Sequence, residues 1–223
     1  MQAAKWFFRN WYWFNGLIAV IGGIALAITW GTMPVIQWLM LGQIVVINLH
    51  FVEEFAMPGG FPLIANTVEK KSDLPDRWPL NQWNAAAGNN WFLLFVYLPA
   101  FLFPDQTWLT LGVTLFGLFE VLGHGVLFNV LLKRPYNPGL WTSLLGFLPL
   151  GIAYFMHVHG VGPAWWLYLV AIAYPIATYL IVFNWLLVTV LARKDTRFPF
   201  TEREMDRGSY LIDRTPHRQA SAA

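Results

Sequence analysis

Apolar residues run almost unbroken over six stretches of the chain, 11–30, 34–55, 84–103, 107–132, 140–160 and 164–192, and polar residues gather between them. A helix needs about 20 such residues to cross the hydrocarbon core of a bilayer. The breaks carry turn signals at Gly31, Pro34, Pro104-Asp105, Pro138-Gly139, Gly160 and Pro163. The pattern predicts an all-α, polytopic membrane bundle of about six transmembrane helices over residues 1–192. A polar, basic tail over 193–223 is expected to be solvated and partly disordered beside anionic headgroups. No internal repeat or second domain is evident.

Composition closes off the soluble alternative. Only 12% of residues are charged and 57% are hydrophobic, against about 25% charged in a soluble domain. With no Cys, disulfides, thiolate metal sites and Cys nucleophiles are excluded. The 14 basic residues fall on alternate segments. Lys5 and Arg9 precede the first run, and Lys70, Lys71 and Arg77 lie between the second and third. Lys133 and Arg134 separate the fourth and fifth, and Arg193, Lys194, Arg197, Arg203, Arg207, Arg214 and Arg218 follow the sixth. The positive-inside rule then places both termini in the cytoplasm, at a plasma or inner membrane. Lys5 and Arg9 before an apolar run also resemble a signal peptide, but the small-residue triplet at Ala25–Ala27 lies inside the run, so it reads as an uncleaved helix. Ala19, Gly23 and Ala27 offer that helix a small-residue contact face. The aromatic stretch from Trp6 to Phe14, with Trp165-Trp166, reads as interface belts. Membrane lipids are the expected partners and nucleic acid is not, since the basic residues serve topology and lipid contact.

Ionisable residues inside the runs carry the candidate chemistry. His50, Glu53 and Glu54 are spaced i, i+3, i+4 on one face near the inner end of the second run. Glu120 and His124 share a face of the fourth. At 1.5 Å per residue, His124 lies about 13 Å and His50 about 6–10 Å below the inner surface. The two clusters therefore overlap in depth, and mixed His and carboxylate sets of this kind suit Zn, Fe or Mn. Metal-ligand candidates are His50, Glu53, Glu54, Glu120 and His124, with Glu53, Glu54 and Glu120 as candidate catalytic carboxylates. His157 and His159 lie at the opposite end of the fifth run and are expected to stay outside the site; His217, in the tail, is expected to be solvated.

These residues sit in recognisable order. His50-Phe51-Val52-Glu53-Glu54 followed by Pro58-Gly59-Gly60-Phe61, then His124, then Tyr136-Asn137-Pro138-Gly139-Leu140-Trp141-Thr142, resembles the HXXEE family of membrane proteins over residues 35–150. In that family the histidine matching His124 belongs to an Asn-x-x-x-His element, and the present chain departs from it in having Glu120 at the Asn position. The resemblance implies a fold and a site but no reaction. Pro138-Gly139 reads as a tight turn, with Thr142 capping the fifth helix and Tyr136 as a donor that supports the site.

The expected function is a metal-dependent enzyme with an inner-leaflet site, acting on a lipid-like or isoprenoid substrate, with the loop over 56–83 as a lid. Zinc would activate water for hydrolysis, iron would suit oxidation or desaturation, and paired Glu and His without a metal would move a proton, as an isomerase requires. A proton- or cation-coupled transporter using the same groups as an ion path is the rival. A structural subunit whose polar cluster only locks helices is the third reading. Reporter fusions test the topology: one at the C-terminus and one near Lys70 should report cytoplasm, while one near Asp105 or Gly162 should report the other side. Finding the Lys70 and Asp105 loops on one side would end the six-span arrangement.

Overall fold

The computed structural model describes residues 2–158 and 162–212; His159, His217 and the end of the tail lie outside the described residues. Six helices are long and apolar enough to cross a membrane: α1 Gln2–Ile28, α2 Val35–Phe55, α4 Gln82–Leu102, α5 Thr107–Leu132, α6 Leu140–Val158 and α7 Trp165–Val190. Two short elements join them at one end, α3 Phe61–Ile64 with a π-helical continuation Ala65–Glu69, and α8 Glu202–Asp206. No strand occurs among the described residues.

The second span is the axis of the bundle. Its apolar window is 56% buried against 11% for α7, and α2 packs on α1, α4, α5 and α6. Lipid tails give helices no hydrophobic reason to associate, so close contact and interhelical hydrogen bonds hold them together. Asn15 of α1 donates to Asn48 of α2 at 2.7 Å and to Asn90 of α4 at 3.1 Å. The close face of α1 runs through Asn15, Ala19 and Gly22, where a Cβ on Gly22 would meet Val45 at 2.7 Å. The expected Ala19, Gly23, Ala27 face is thereby corrected: each i+4 step overshoots a turn by about 40°, and nothing lies within 4 Å of a Cβ on Gly23. The aromatic belt is also divided. Trp6, Phe7, Trp13 and Phe14 are exposed, but Trp11 is buried against Phe55, with ring centroids 5.0 Å apart.

Prolines and wide helical turns shape the bundle around its polar interior. Pro99 cannot donate to the Phe95 carbonyl, which accepts the Tyr174 hydroxyl instead. Pro175 likewise leaves the Ala171 carbonyl without an amide partner, and that oxygen lies 2.9 Å from where a Cβ on Gly112 would sit. The Gly112 contact packs α7 on α5 at the far end, and the Tyr174 bond ties it to α4. Towards the other end α7 crosses onto α4, where Phe183 packs against Gly88 and Asn84 donates to the Leu187 carbonyl at 3.3 Å. Helices α5 and α7 therefore diverge, and no residue of Phe128–Leu132 is buried. π-helical turns at Leu93–Tyr97, Gly123–Leu127 and Ser143–Phe147 interrupt α4, α5 and α6, a feature that often marks functional segments.

Within the basic tail expected to be solvated and partly disordered, residues 198–212 pack against the bundle. Phe200, Glu204, Met205 and Leu211 are buried, and Phe198 packs on Phe8 with centroids 5.0 Å apart. The Gln82 amide donates to the Phe198 carbonyl at 3.0 Å, and the Phe200 amide to that of Asp76 at 2.7 Å. Arg207 donates to the Phe55 carbonyl at 2.7 Å, and Gly60, with φ +111°, has no room for a side chain because a Cβ would meet Gly208 at 2.6 Å. Lys194 holds the exposed Asp73 carboxyl below its usual range. These contacts bring the N-terminal helix, the α2–α4 connection and the C-terminal segment to one end of the bundle, the basic end. At the centre of the dock, Glu204 Oε2 accepts from Thr201 N at 2.6 Å, Thr201 Oγ1 at 2.7 Å and Gln82 Nε2 at 2.8 Å. Glu204→Ala strands those donors at a cost of about 1–3 kcal/mol. Trypsin should then cut after Arg203 and Arg207 faster than in the wild type. Equal rates would mean that the segment is not docked.

Candidate metal centre

The second span ends in three consecutive layers of polar side chains that point into the bundle. His50, Glu53 and Glu54 are 2%, 6% and 5% exposed, so each of them needs a partner inside the protein. The two glutamates find different ones. Glu53 Oε1 accepts from the Trp141 amide at 3.0 Å and the Tyr136 hydroxyl at 3.1 Å. Its Oε2 accepts from the Thr142 amide at 2.8 Å and the Thr142 hydroxyl at 2.6 Å. Glu53 thus caps α6 from another helix, satisfying amides that the first turn leaves without partners and sitting at the positive end of the helix dipole. Burial and the Glu53 charge push the Tyr136 phenol well above its usual range, so it stays a donor. Two expectations change here. Glu53 is committed to these four donors rather than to a cation or a reacting atom, and the cap of α6 is Glu53 rather than Thr142.

The same network fixes the tautomer of His50. The Thr142 hydroxyl has one proton, and both the Glu53 carboxylate and the Gly139 carbonyl at 3.1 Å are acceptors only. Its oxygen therefore accepts from His50 Nδ1–H at 2.8 Å, which leaves the Nε2 lone pair facing inward. His124 is fixed in the same sense. Asn137, fully buried, donates to the His124 carbonyl and to Asn129 Oδ1, both at 2.7 Å. Its oxygen must then accept from His124 Nδ1–H at 2.6 Å. Holding one ring nitrogen with a hydrogen bond while the other is presented is how proteins prepare imidazoles for a metal. Gly139 makes room for this: at φ +105°, a Cβ would lie 2.4 Å from His124 Cε1.

The presented atoms converge. Glu54 Oε1 lies 3.6 Å from His50 Nε2 and 3.6 Å from His124 Nε2. Glu120 Oε2 lies 3.9 Å from the first and 3.5 Å from the second. His50, Glu54 and His124 each offer an atom within 4.8 Å of the others, and all three are buried, so this group could hold a metal ion. The imidazoles meet edge to face, with centroids 4.8 Å apart. Phe147 stands 5.6 Å from the His50 ring, and Phe128 and Phe61 stand 5.0 and 6.3 Å from the His124 ring. Phe61 comes from α3, the first element of the connection expected to act as a lid. Glu120 is the one member with an outlet, its side chain 24% exposed.

The structure therefore brings together His50, Glu54, Glu120 and His124, and sets Glu53 beside them in a supporting role. His157 lies at the far end of α6 with Trp30 and Trp38 around a cavity of about 610 Å³, away from the centre. Asn137 escaped the sequence reading; the only signal was its place before Pro138-Gly139, a turn read for its backbone alone. Comparisons with curated proteins and with solved structures each found no match. The model of one family, described as proteins of unknown function with an HXXEE motif, matches residues 38–154, and with more than half of its length matched the chain belongs to that family.

Proposed function

We propose that the protein is a metal-dependent enzyme of the membrane interior that acts on a lipid-like or isoprenoid substrate, with the basic end of the bundle in the cytoplasm. One observation carries this reading: four ligand-type atoms of His50, His124, Glu54 and Glu120 converge with separations of 3.6, 3.6, 3.9 and 3.5 Å. Four ligands about 2.0–2.1 Å from a tetrahedral zinc ion are about 3.3–3.4 Å apart. The atoms of His50, Glu54 and His124, all within 4.8 Å of one another, are the set that a cation would draw together, with Glu120 beside the two imidazoles. Two carboxylates and two neutral imidazoles also balance a divalent cation, which removes the cost of two buried charges facing each other. Zn, Fe and Mn all accept this donor set.

His50, His124 and Glu54 hold the cation, and Glu120 at the partly exposed edge is the acid–base group that exchanges a proton with water or substrate. The set serves hydrolysis with zinc, oxidation or desaturation with iron, and proton transfer in an isomerisation; the metal selects among them. The divergence of α5 and α7 beside Glu120 supports entry from the bilayer rather than from water. A coupled transporter would need its ionisable groups to continue towards the far end. There α2, α5 and α6 carry Gln43, Thr110, Thr114 and Tyr154, which do not carry charge at neutral pH.

Elemental analysis of purified protein should find about one divalent cation per chain, falling as the pH drops and the ligands take up protons. The double variant His50→Ala, His124→Ala should hold none, and His157→Gln should match the wild type. A wild type free of metal at neutral pH after growth in metal-replete medium would leave the helix-locking reading in its place. Thr142→Val tests the orientation argument. It removes the hydroxyl that positions His50 and should weaken metal binding about 10–100-fold in a protein that keeps its helical circular dichroism. Wild-type affinity in that variant would show that the hydroxyl does not matter.

A further inference from the structure

Deep polar side chains in this bundle almost all tie one helix to another or to their own backbone. Asn15, Asn48 and Asn90 link three helices, Thr110 and Tyr154 share a hydrogen bond of 2.9 Å, and Thr114 donates to the Thr110 carbonyl at 2.8 Å. Gln43, Tyr97 and Ser143 do neither within the spans, and of these the Gln43 amide and the Tyr97 phenol are the larger groups at depth. Gln43 and Tyr97 are both 0% exposed, and neither amide atom of Gln43 nor the Tyr97 hydroxyl has a hydrogen-bond partner in the protein. In a hydrocarbon surrounding each such group costs several kcal/mol, so their presence without a tie points to a ligand.

Gln43 lies on the deep side of the metal centre, and Tyr97 faces the same interior from α4. Gln43 precedes His50 by seven residues on α2, two turns along the same face. Its Oε1 would be 3.3 Å from a Cβ on Gly117, so the amide rests on bare α5 backbone one turn before Glu120. The same absent Cβ would lie 2.9 Å from Phe147, the ring that stands against His50. Tyr97 ends the π-helical turn of α4. Gln37 of α2 donates to the Phe101 carbonyl and Asn15 joins Asn48 to Asn90, so the antiparallel α2 and α4 bring Tyr97 near the depth of Gln43. The Tyr97 ring is 6.1 Å from Phe92, which packs at 4.4 Å on Phe116 of α5. One group thus enters the interior beyond the centre from α2 and the other from α4.

We propose that Gln43 and Tyr97 form a recognition subsite for a neutral oxygen function, a hydroxyl or carbonyl, of a largely apolar lipid-like substrate. The inference rests on the reading of the neighbouring centre as the reacting site. An amide and a phenol offer donors and acceptors without charge. Helices α2, α4, α5, α6 and α7 contain no Lys or Arg, so a phosphate or carboxylate at this depth would meet no side-chain cation. Gln43 lies about 18 Å from the end of α2 at 1.5 Å per residue, beyond the middle of a hydrocarbon core about 30 Å thick. A polar group recognised there belongs to a molecule that is mostly hydrocarbon, unlike a phospholipid with its headgroup at the surface.

Thermal unfolding of the full-length wild type, Gln43→Met and Tyr97→Phe in detergent, with hexadecanol, hexadecane or hexadecyl phosphate added, tests this. Metal content is measured on the same samples. Hexadecanol should raise the Tm of the wild type with dose, and the other two probes should not. Each variant should melt at or above the wild-type temperature without a probe, because an apolar replacement removes an unpaired group. Each should keep its metal and bind hexadecanol about tenfold more weakly, the loss of one hydrogen bond. Variants that melt well below the wild type would make the pair helix ties bridged by water and overturn the proposal. So would variants with wild-type affinity, a wild type that ignores hexadecanol, or a preference for hexadecyl phosphate. Samples without metal that keep the hexadecanol pattern would overturn the metal reading and leave the subsite standing.

Discussion

The arrangement at the basic end depends on one carboxylate. Glu53 reaches from α2 to the first turn of α6 and takes four hydrogen bonds there. A capping side chain normally belongs to the helix it caps; supplied by a neighbour, it fixes the separation and rotation of the two helices as well. Because one acceptor is the Thr142 hydroxyl's destination, that oxygen can receive a proton only from His50. The helix joint and the choice of imidazole tautomer are thus one device. Removing the carboxylate would unpair two amides and free His50 to turn over, so structural and chemical consequences would arrive together.

Adjacent glutamates on a helix point about 100° apart, and this divides their labour. Glu53 meets the amides of α6, and Glu54, one residue on, meets the two imidazoles. The sequence could not separate them, since both fit an i+3 or i+4 relation to His50. Other features were legible: six apolar runs, the overlap in depth of His50 and His124, and the irregular position of Glu120 inside a span. What escaped depends on contacts between distant segments. Asn137 acts through a histidine thirteen residues away across a turn, and the C-terminal segment owes its order to loop backbone that composition does not describe. Trp11, in a run of aromatics that suggested an interface, is buried because the helix continues inward past it.

The C-terminal dock has a consequence for the centre. Gly60 and Gly208 pack backbone to backbone, immediately before Phe61 turns its ring towards His124. Arg207 holds the carbonyl of Phe55, the residue after Glu54. The segment that follows the last span therefore braces both the end of the ligand-bearing helix and the element that carries Phe61. A strained or loosened dock would shift Glu54 and the Phe61 ring without any change in those side chains themselves.

Glu120 stands where the Asn-x-x-x-His element of the sequence resemblance would have Asn, and the difference is one of charge. With Asn there, His50, His124 and Glu54 would leave a divalent cation with one uncompensated positive charge in a low-dielectric site, a centre that attracts an anionic ligand to complete itself. With Glu120 the site is neutral once a divalent cation is bound, and nothing in its charge selects for an anion. That agrees with the uncharged Gln43 and Tyr97 on its deep side. It also gives the exposed edge a group that can accept a proton, which an asparagine cannot do. A divalent cation bound here would thus find its charge balanced and a base beside it, neither of which an asparagine would supply.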